Sequence, residues 1–333
     1  MVNRMWITLL TLWSCAGDKP GQDSDPHETS NPGDSGDTDT SPDSGDTDVT
    51  AENVPLDGYC ADDVHYGNFL VDATARYAYV TGSVADGVVP ITVLTGLETA
   101  GDCTLWRKEN LFCDPSCDPG YTCNFDGECV PYPSGQALGT VTVDGLLEPV
   151  SMEPTVPGNT YFNTSLPNPP WTPGALVTLK SGGGAFDPFT LYGVAPDAFA
   201  MEDLAWQLTE GEALALSWTP PETTSRTRVR VSMNIDQHGT TPVSAVCWFD
   251  DDGAAEVPSA IIDGLIGYGV TGFPRATATR LSADTAEAGA GCVDLWLTSS
   301  LEPTIAVTGY TPCFTTDDCP DGQECNLELQ RCE

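Results

Sequence analysis

RTRVRVSMNI, residues 226–235, alternates by twos. Arg226, Arg228 and Arg230 fall on one side, and Thr227, Val229 and Val231 on the other. That is the period of a β-strand with one apolar face. Around it the pattern repeats. Thr140–Val143, Ala175–Leu179, Phe189–Val194, Ala213–Trp218, Val243–Phe249, Ala276–Arg280, Cys292–Thr298 and Thr304–Thr308 read as further strands, with Pro and Gly between them. Val257–Ile266 reads as a short helix in a crossover. The whole chain holds 33 Gly and 27 Pro in 333 residues, and long helical periodicities are scarce. The expected fold is all-β: an Ig-like or related antiparallel β-sandwich over residues 134–312.

Upstream, residues 55–112 read as a small separate β unit, with strands in NFLVDA, RYAYVTG and VVPITVL. Two cysteine clusters flank the sandwich. Residues 113–133 carry Cys113, Cys117, Cys123 and Cys129; residues 313–333 carry Cys313, Cys319, Cys325 and Cys332. Each cluster has few large apolar residues, so cross-links must stand in for a core. Zinc would need short paired spacings such as C-x2-C, which are absent. Pairing first to third and second to fourth gives Cys113–Cys123, Cys117–Cys129, Cys313–Cys325 and Cys319–Cys332. The remaining cysteines, taken in order, give Cys60–Cys103 and Cys247–Cys292. Cys15 is left over from the 13.

MVNRMWITLLTLWSC opens with Arg4 and a short apolar run, Met5–Trp13, as an export signal does. Leu12-Trp13-Ser14-Cys15 resembles the lipobox of bacterial lipoproteins, with Trp13 where that family has a small residue. The resemblance implies a signal peptide over residues 1–14, lipidation of Cys15 and cleavage before it. Ala16 in the next position implies passage to the outer membrane. Residues 15–54 then read as an acidic tether. From residue 16 this stretch has 11 acids, one base and no aromatic residue, and it repeats DSGDTD at 34–39 and 43–48. Such a stretch buries too little apolar area to offset its ordering entropy. Gly33-Asp34-Ser35-Gly36 matches the tetrapeptide around a protease serine, but a catalytic serine needs a rigid scaffold and a placed histidine.

The formal net charge is −37, and residues 55–333 alone carry 38 acids against 10 bases. Nucleic acid is excluded as a partner because phosphate binding needs a basic patch. The Arg226–Arg228–Arg230 stripe, with Arg275 and Arg280, supplies half of those bases. It reads either as a site for an anionic glycan or carboxylate, or as the partner of nearby acids, which their abundance favours. Trp171, Trp206, Trp218, Trp248 and Trp296 read as a sugar-stacking platform or, more commonly for such residues, as core. His238, just after the RTRVRVSMNI strand, is the one acid–base candidate, with a turn role favoured. No nucleophile elbow, zinc-protease helix or phosphate loop occurs, and no pattern calls for a cofactor or metal.

The order of segments is itself distinctive. GTVTVDGL, PGNTYFNTSLPNPPWTPGA, LALSWTPP, RVSMNIDQHG, VTGFPRATATR and CPDGQEC, preceded by GSVADGVVP, GDCTLWR and FCDPSCDPGYTCNFDGECVPYP, resemble an uncharacterised family of myxobacterial surface lipoproteins. That resemblance implies a β-sandwich with disulfide knots and names no reaction. The expectation is therefore a membrane-anchored surface protein, not an enzyme. It would be held by its N-terminal lipid and bind a glycan or an envelope or surface protein. An exported hydrolase and a protease inhibitor are the alternatives.

Overall fold

The computed structural model describes residues 49–333, apart from 224–225 and 237–241. Cys15, the expected leader, most of the expected tether and His238 lie outside the described residues. The first strands are β1 (His65–Ala73), β2 (Ala78–Val84), β3 (Leu94–Ala100) and β4 (Cys103–Lys108). A short hairpin follows, β5 (Tyr121–Cys123) and β6 (Cys129–Pro131). Next come β7 (Val141–Asp144), β8 (Val150–Met152), β9 (Tyr161–Leu166), β10 (Leu176–Ser181) and β11 (Thr190–Val194). β12 (Ala205–Leu208), β13 (Leu214–Ser217), β14 (Arg228–Asn234), β15 (Val243–Asp250) and β16 (Ala254–Val257) lead to helix α1 (Ser259–Gly267). β17 (Arg275–Ala288), β18 (Gly291–Leu301), β19 (Thr304–Val307) and the hairpin β20 (Cys325–Asn326) and β21 (Arg331–Cys332) complete the chain.

The fold is all-β. Nine strands form one sheet in the order β3-β4-β15-β14-β17-β18-β1-β2-β9, and a second sheet has the order β11-β10-β7-β8. Residues 55–112 are therefore not a separate unit, as their position in the sequence suggested. β1 to β4 supply both flanks of the large sheet, and the described residues form one compact body. Pairing within the large sheet is antiparallel except between β1 and β18. The chain enters β1 beside the start of β18, with His65 opposite Cys292, so the two strands run the same way.

The alternation that opened the sequence decides what each face holds. Val229, Val231 and Met233 of β14 are fully buried, while Arg228, Arg230, Ser232 and Asn234 point to the other face. Register carries the buried side across the sheet. Val231 faces Cys247 on β15 and Ala278 on β17, and Cys247 faces Cys103 on β4. The same face continues from Asp284 to Leu295, Phe69 and Gly82. Gly82 is required there, because a Cβ would stand 2.1 Å from the ring of Phe69.

Two apolar cores share this inner face. One joins β4, β14, β15 and the first part of β17 to α1, Trp206, Leu216, Trp218 and Val307. The other joins β1, β2, β18 and the end of β17 to the four-stranded sheet through Val141, Val177, Leu179 and Leu191. β17 runs through both. Ala276 and Ala278 lie in the first core and Ala286 and Ala288 by the second, with Arg280, Ser282 and Asp284 between them. Arg280 is 1% exposed. Its Nε and Nη2 donate to the two oxygens of Asp251 at 2.6 and 2.9 Å, and its remaining donors reach the carbonyls of Ala198 and Thr219. Phe199 lies under its guanidinium. Arg280 thus sits on the opposite face from the arginine stripe with which the sequence grouped it.

The two knots pair Cys113–Cys123, Cys117–Cys129, Cys313–Cys325 and Cys319–Cys332. The other two disulfides differ from the expected order: Cys103 joins Cys247, and Cys60 joins Cys292. Cys103 and Cys247 are register partners on adjacent strands within the core, a proximity that sequence order does not reveal. Cys60 belongs to a strap, residues 54–64, that leads into β1. Val54, expected at the end of the tether, is 1% exposed and already part of the body. Its carbonyl accepts from Arg226. Further along, the Asp57 and Cys60 amides donate to Asp284 and Asp294. No helix among the described residues is long and apolar enough to cross a membrane.

Candidate functional site: a cleft and an arginine–tryptophan box on the outer face

The turn between β1 and β2 is tied by Thr74, whose hydroxyl donates to the Tyr77 carbonyl and accepts from the Arg76 and Tyr77 amides. Beyond it, Tyr77 and Tyr79 occupy alternate positions and so share the outer face. Their ring centroids are 5.9 Å apart, and Tyr77 is 57% exposed. Asp72 of β1 is opposite Tyr79 on β2 and opposite Thr298 on β18. One Asp72 oxygen accepts from the hydroxyls of Thr298 and Ser300 at 2.7 and 2.8 Å. Burial, then the charge and hydrogen bond of Asp72, push the Tyr79 phenol up to about 12, so it stays a donor. Asp72, Tyr77, Tyr79 and Ser300 line a cleft of about 610 Å³ together with Arg76, Glu302, Thr277 and Leu204.

The cleft combines exposed ring surface, a fixed carboxylate, hydroxyls and one arginine. A sugar presents an apolar C–H face and a rim of hydroxyls. The tyrosine rings match the first, and Asp72, Ser300 and Glu302 match the second. In the sequence, RYAYVTG reads only as a strand. Alternation put both tyrosines on one face but did not say that the face is open.

A second cluster lies on the same outer face. Ser300 is opposite Thr279, Thr279 opposite Arg230, and Arg230 opposite Trp248. The Arg230 guanidinium lies 5.7 Å from the ring centroid of Trp248 and 6.0 Å from that of Trp296. The two indoles meet edge to face at 6.1 Å. Tyr59 of the strap stacks on Trp248 at 4.9 Å and an angle of 12°. Burial lowers the pKa of Arg230, and Asp62 and Tyr59 oppose that shift.

The structure separates the five tryptophans. Trp171, Trp206 and Trp218 are core residues whose indole N–H groups donate to Pro196 O, Asp203 O and Asp251. Trp248 and Trp296 are half-buried on the outer face. The arginine stripe divides likewise. Arg226 donates to the Val54 carbonyl and Arg228 to that of Trp248, with Asp250 at 3.9 Å. Arg230 rests on indole rings, and Arg275 is exposed. Pairing with acids, the expectation from composition, holds for Arg280 on Asp251; within the 226–230 stripe it leaves the charge of Asp62 acting on Arg230 and one loose contact, Arg228 with Asp250. Asp250 is 90% exposed there, and such pairs contribute little. Within the knots, Cys113, Cys117 and Cys129 bring their sulfurs within 4.8 Å, as do Cys313, Cys319 and Cys332. Each of those sulfurs is in a disulfide.

No family model matches the chain, and no curated protein matches it. Among solved structures, one that aligns is a crystal structure of a tri-modular GH5 (subfamily 4) endo-β-1,4-glucanase from Bacillus licheniformis, complexed with cellotetraose. The identity is 12% and the TM-score 0.21, over 72% of this chain and 37% of that one. The chain thus spans little more than a third of that structure's length, and a superposition this loose carries no argument.

Proposed function

We propose that the chain is a membrane-anchored bacterial surface lipoprotein whose disulfide-stabilised β-sandwich binds a glycan in the outer-face cleft. The observation that carries the binding is the juxtaposition of Tyr77 and Tyr79 with Asp72, itself fixed by Thr298 and Ser300. The anchoring rests on Cys15 in its lipobox-like setting, on the acidic stretch that follows, and on the resemblance to myxobacterial surface lipoproteins. The disulfides support export, since such bonds persist in oxidising compartments. In this reading the partner is carbohydrate outside the outer membrane.

A glycan array probed with the full chain tests the binding. Bound glycans are expected, and Tyr77→Ala lowers their affinity by about tenfold, the effect of losing a central aromatic contact. An empty array, or binding indifferent to Tyr77→Ala, removes the reading. Alkyne-fatty-acid labelling lost in Cys15→Ser, with protease cleavage of the chain on intact cells, tests the anchoring.

A further inference from the structure

The Arg230 box has the features of a built anion site. Its guanidinium lies against two indoles, and among the described residues it meets no hydrogen-bond acceptor. Its nitrogens are not fully sealed off either: among the described residues, the buried side-chain nitrogens without a hydrogen-bond partner are His65 Nε2 and Arg107 Nε. The Arg230 donors therefore keep some contact with solvent, on a largely buried side chain that aromatic packing holds in place. A planar guanidinium offers parallel N–H groups that match the two oxygens of a carboxylate. Arg228, two residues away on the same face, adds a second cation whose ion pair is a 3.9 Å contact with an exposed Asp250. Asp62, Asp250 and Asp294 lie around the box, so a flat singly charged carboxylate fits better than a doubly charged phosphate.

The box is also in register with the cleft. Ser300 borders the cleft, and Thr279 and Arg230 follow it on the next two strands. Two inter-strand steps span about 10 Å. A chain of sugars lying across the strands from Tyr77 would pass Ser300 and reach Arg230.

We propose that Arg230, with Arg228 beside it and Trp248 and Trp296 as its walls, binds the carboxylate of an acidic sugar unit. The glycan taken by the cleft is then a polyuronate. This rests on the carbohydrate reading of the cleft and names its substrate class. The repulsion from the acidic body is not prohibitive, because exposed charges beyond about 8 Å are screened at physiological salt.

Calorimetric titration of the full chain with a galacturonate oligomer, and with the same oligomer fully methyl-esterified, tests it. The acid is expected to bind about tenfold tighter than its ester, the effect of one charge-assisted bidentate contact. Arg230→Gln weakens the acid far more than the ester and so removes most of that difference, while Arg230→Lys keeps part of it. Thermal melts verify that each variant folds. Equal binding of acid and ester to the native chain overturns the proposal while the cleft reading stands, provided that Tyr77→Ala weakens both. Polyglutamate binding as tightly as the uronate overturns it as well, since the site would then recognise an acidic peptide. If neither oligomer binds but the array shows glycans lost in Tyr77→Ala, the acid preference falls alone. If nothing binds in either assay, both readings fall.

Discussion

At the scale of single residues, Arg280 and Asp251 carry most of the risk in this body. They are 1% and 4% exposed, and each satisfies the other and several further groups. Removing one partner leaves a buried charge without its counter-ion, which costs about 3–5 kcal/mol. Asp251→Ala is expected to fall in that range by urea unfolding. The double change Arg280→Met, Asp251→Leu should cost clearly less than the sum of the singles. Additive costs would mean that the pair is not a unit. Asp284 gives a pH signature. Burial raises its carboxyl above the ordinary 3.8, although the Asp57 and Tyr192 amides pull it down. The folded chain therefore holds that proton more tightly than the unfolded chain does. The contribution is complete below about pH 4 and is lost as pH rises through the folded pKa. The stability of the native chain relative to Asp284→Asn should fall from pH 4 to pH 7, and a gap that widens over that range would contradict the assignment. Sequence made RTRVRVSMNI legible as an alternating strand. It could not tell Arg280 from the stripe, because facing is fixed by register with β14.

Secondary-structure elements were easier to read than their partners. The segments expected from alternation appear within a few residues as β7, β10, β11, β13, β14, β15 and β19, and the helix expected at 257–266 is α1. β17 and β18 run on past the expected segments, VVPITVL holds a 3₁₀ turn at Pro90–Thr92 and meets a strand only at Leu94, and β3, β4, β8, β9, β12 and β16 are not among the segments that alternation picks out. The strap was the element least legible in advance. Its sequence looks like the end of a tether, and its attachment comes from contacts 172 to 234 residues away. Opening Cys60–Cys292, which spans 232 residues, removes a large loop constraint, and Cys60→Ser with Cys292→Ser should cost about 2–5 kcal/mol. Limited proteolysis should then cut residues 49–64 before any other part of the body. Unchanged resistance there would mean that Tyr59 on Trp248 and the Asp284 and Asp294 contacts hold the strap without the disulfide. Knot connectivity followed from cysteine spacing because each knot is local. The pairing of Cys103 with Cys247 did not, because it is set by a strand order that interleaves the ends of the chain.

For the molecule as a whole, one sheet carries two cores, and β17 and β18 are the structural members common to both sides of the polar seam. Calorimetry should therefore show a single unfolding transition in spite of the two cores; two separated transitions would mean that the seam uncouples them. The inner face explains why the body is stable, and the outer face carries the proposed glycan cleft. Composition and motifs set expectations about partners and catalysis, but the cleft became visible only when β1, β2 and β18 were brought together. The most direct test of the account uses intact cells displaying the native chain, Cys15→Ser or Tyr77→Ala, incubated with a fluorescent polysaccharide that scores on the array. The account predicts labelled native cells and unlabelled cells for both variants, one because the chain is not retained and the other because the cleft is lost. Tyr77→Ala cells labelled as brightly as the native ones would contradict it.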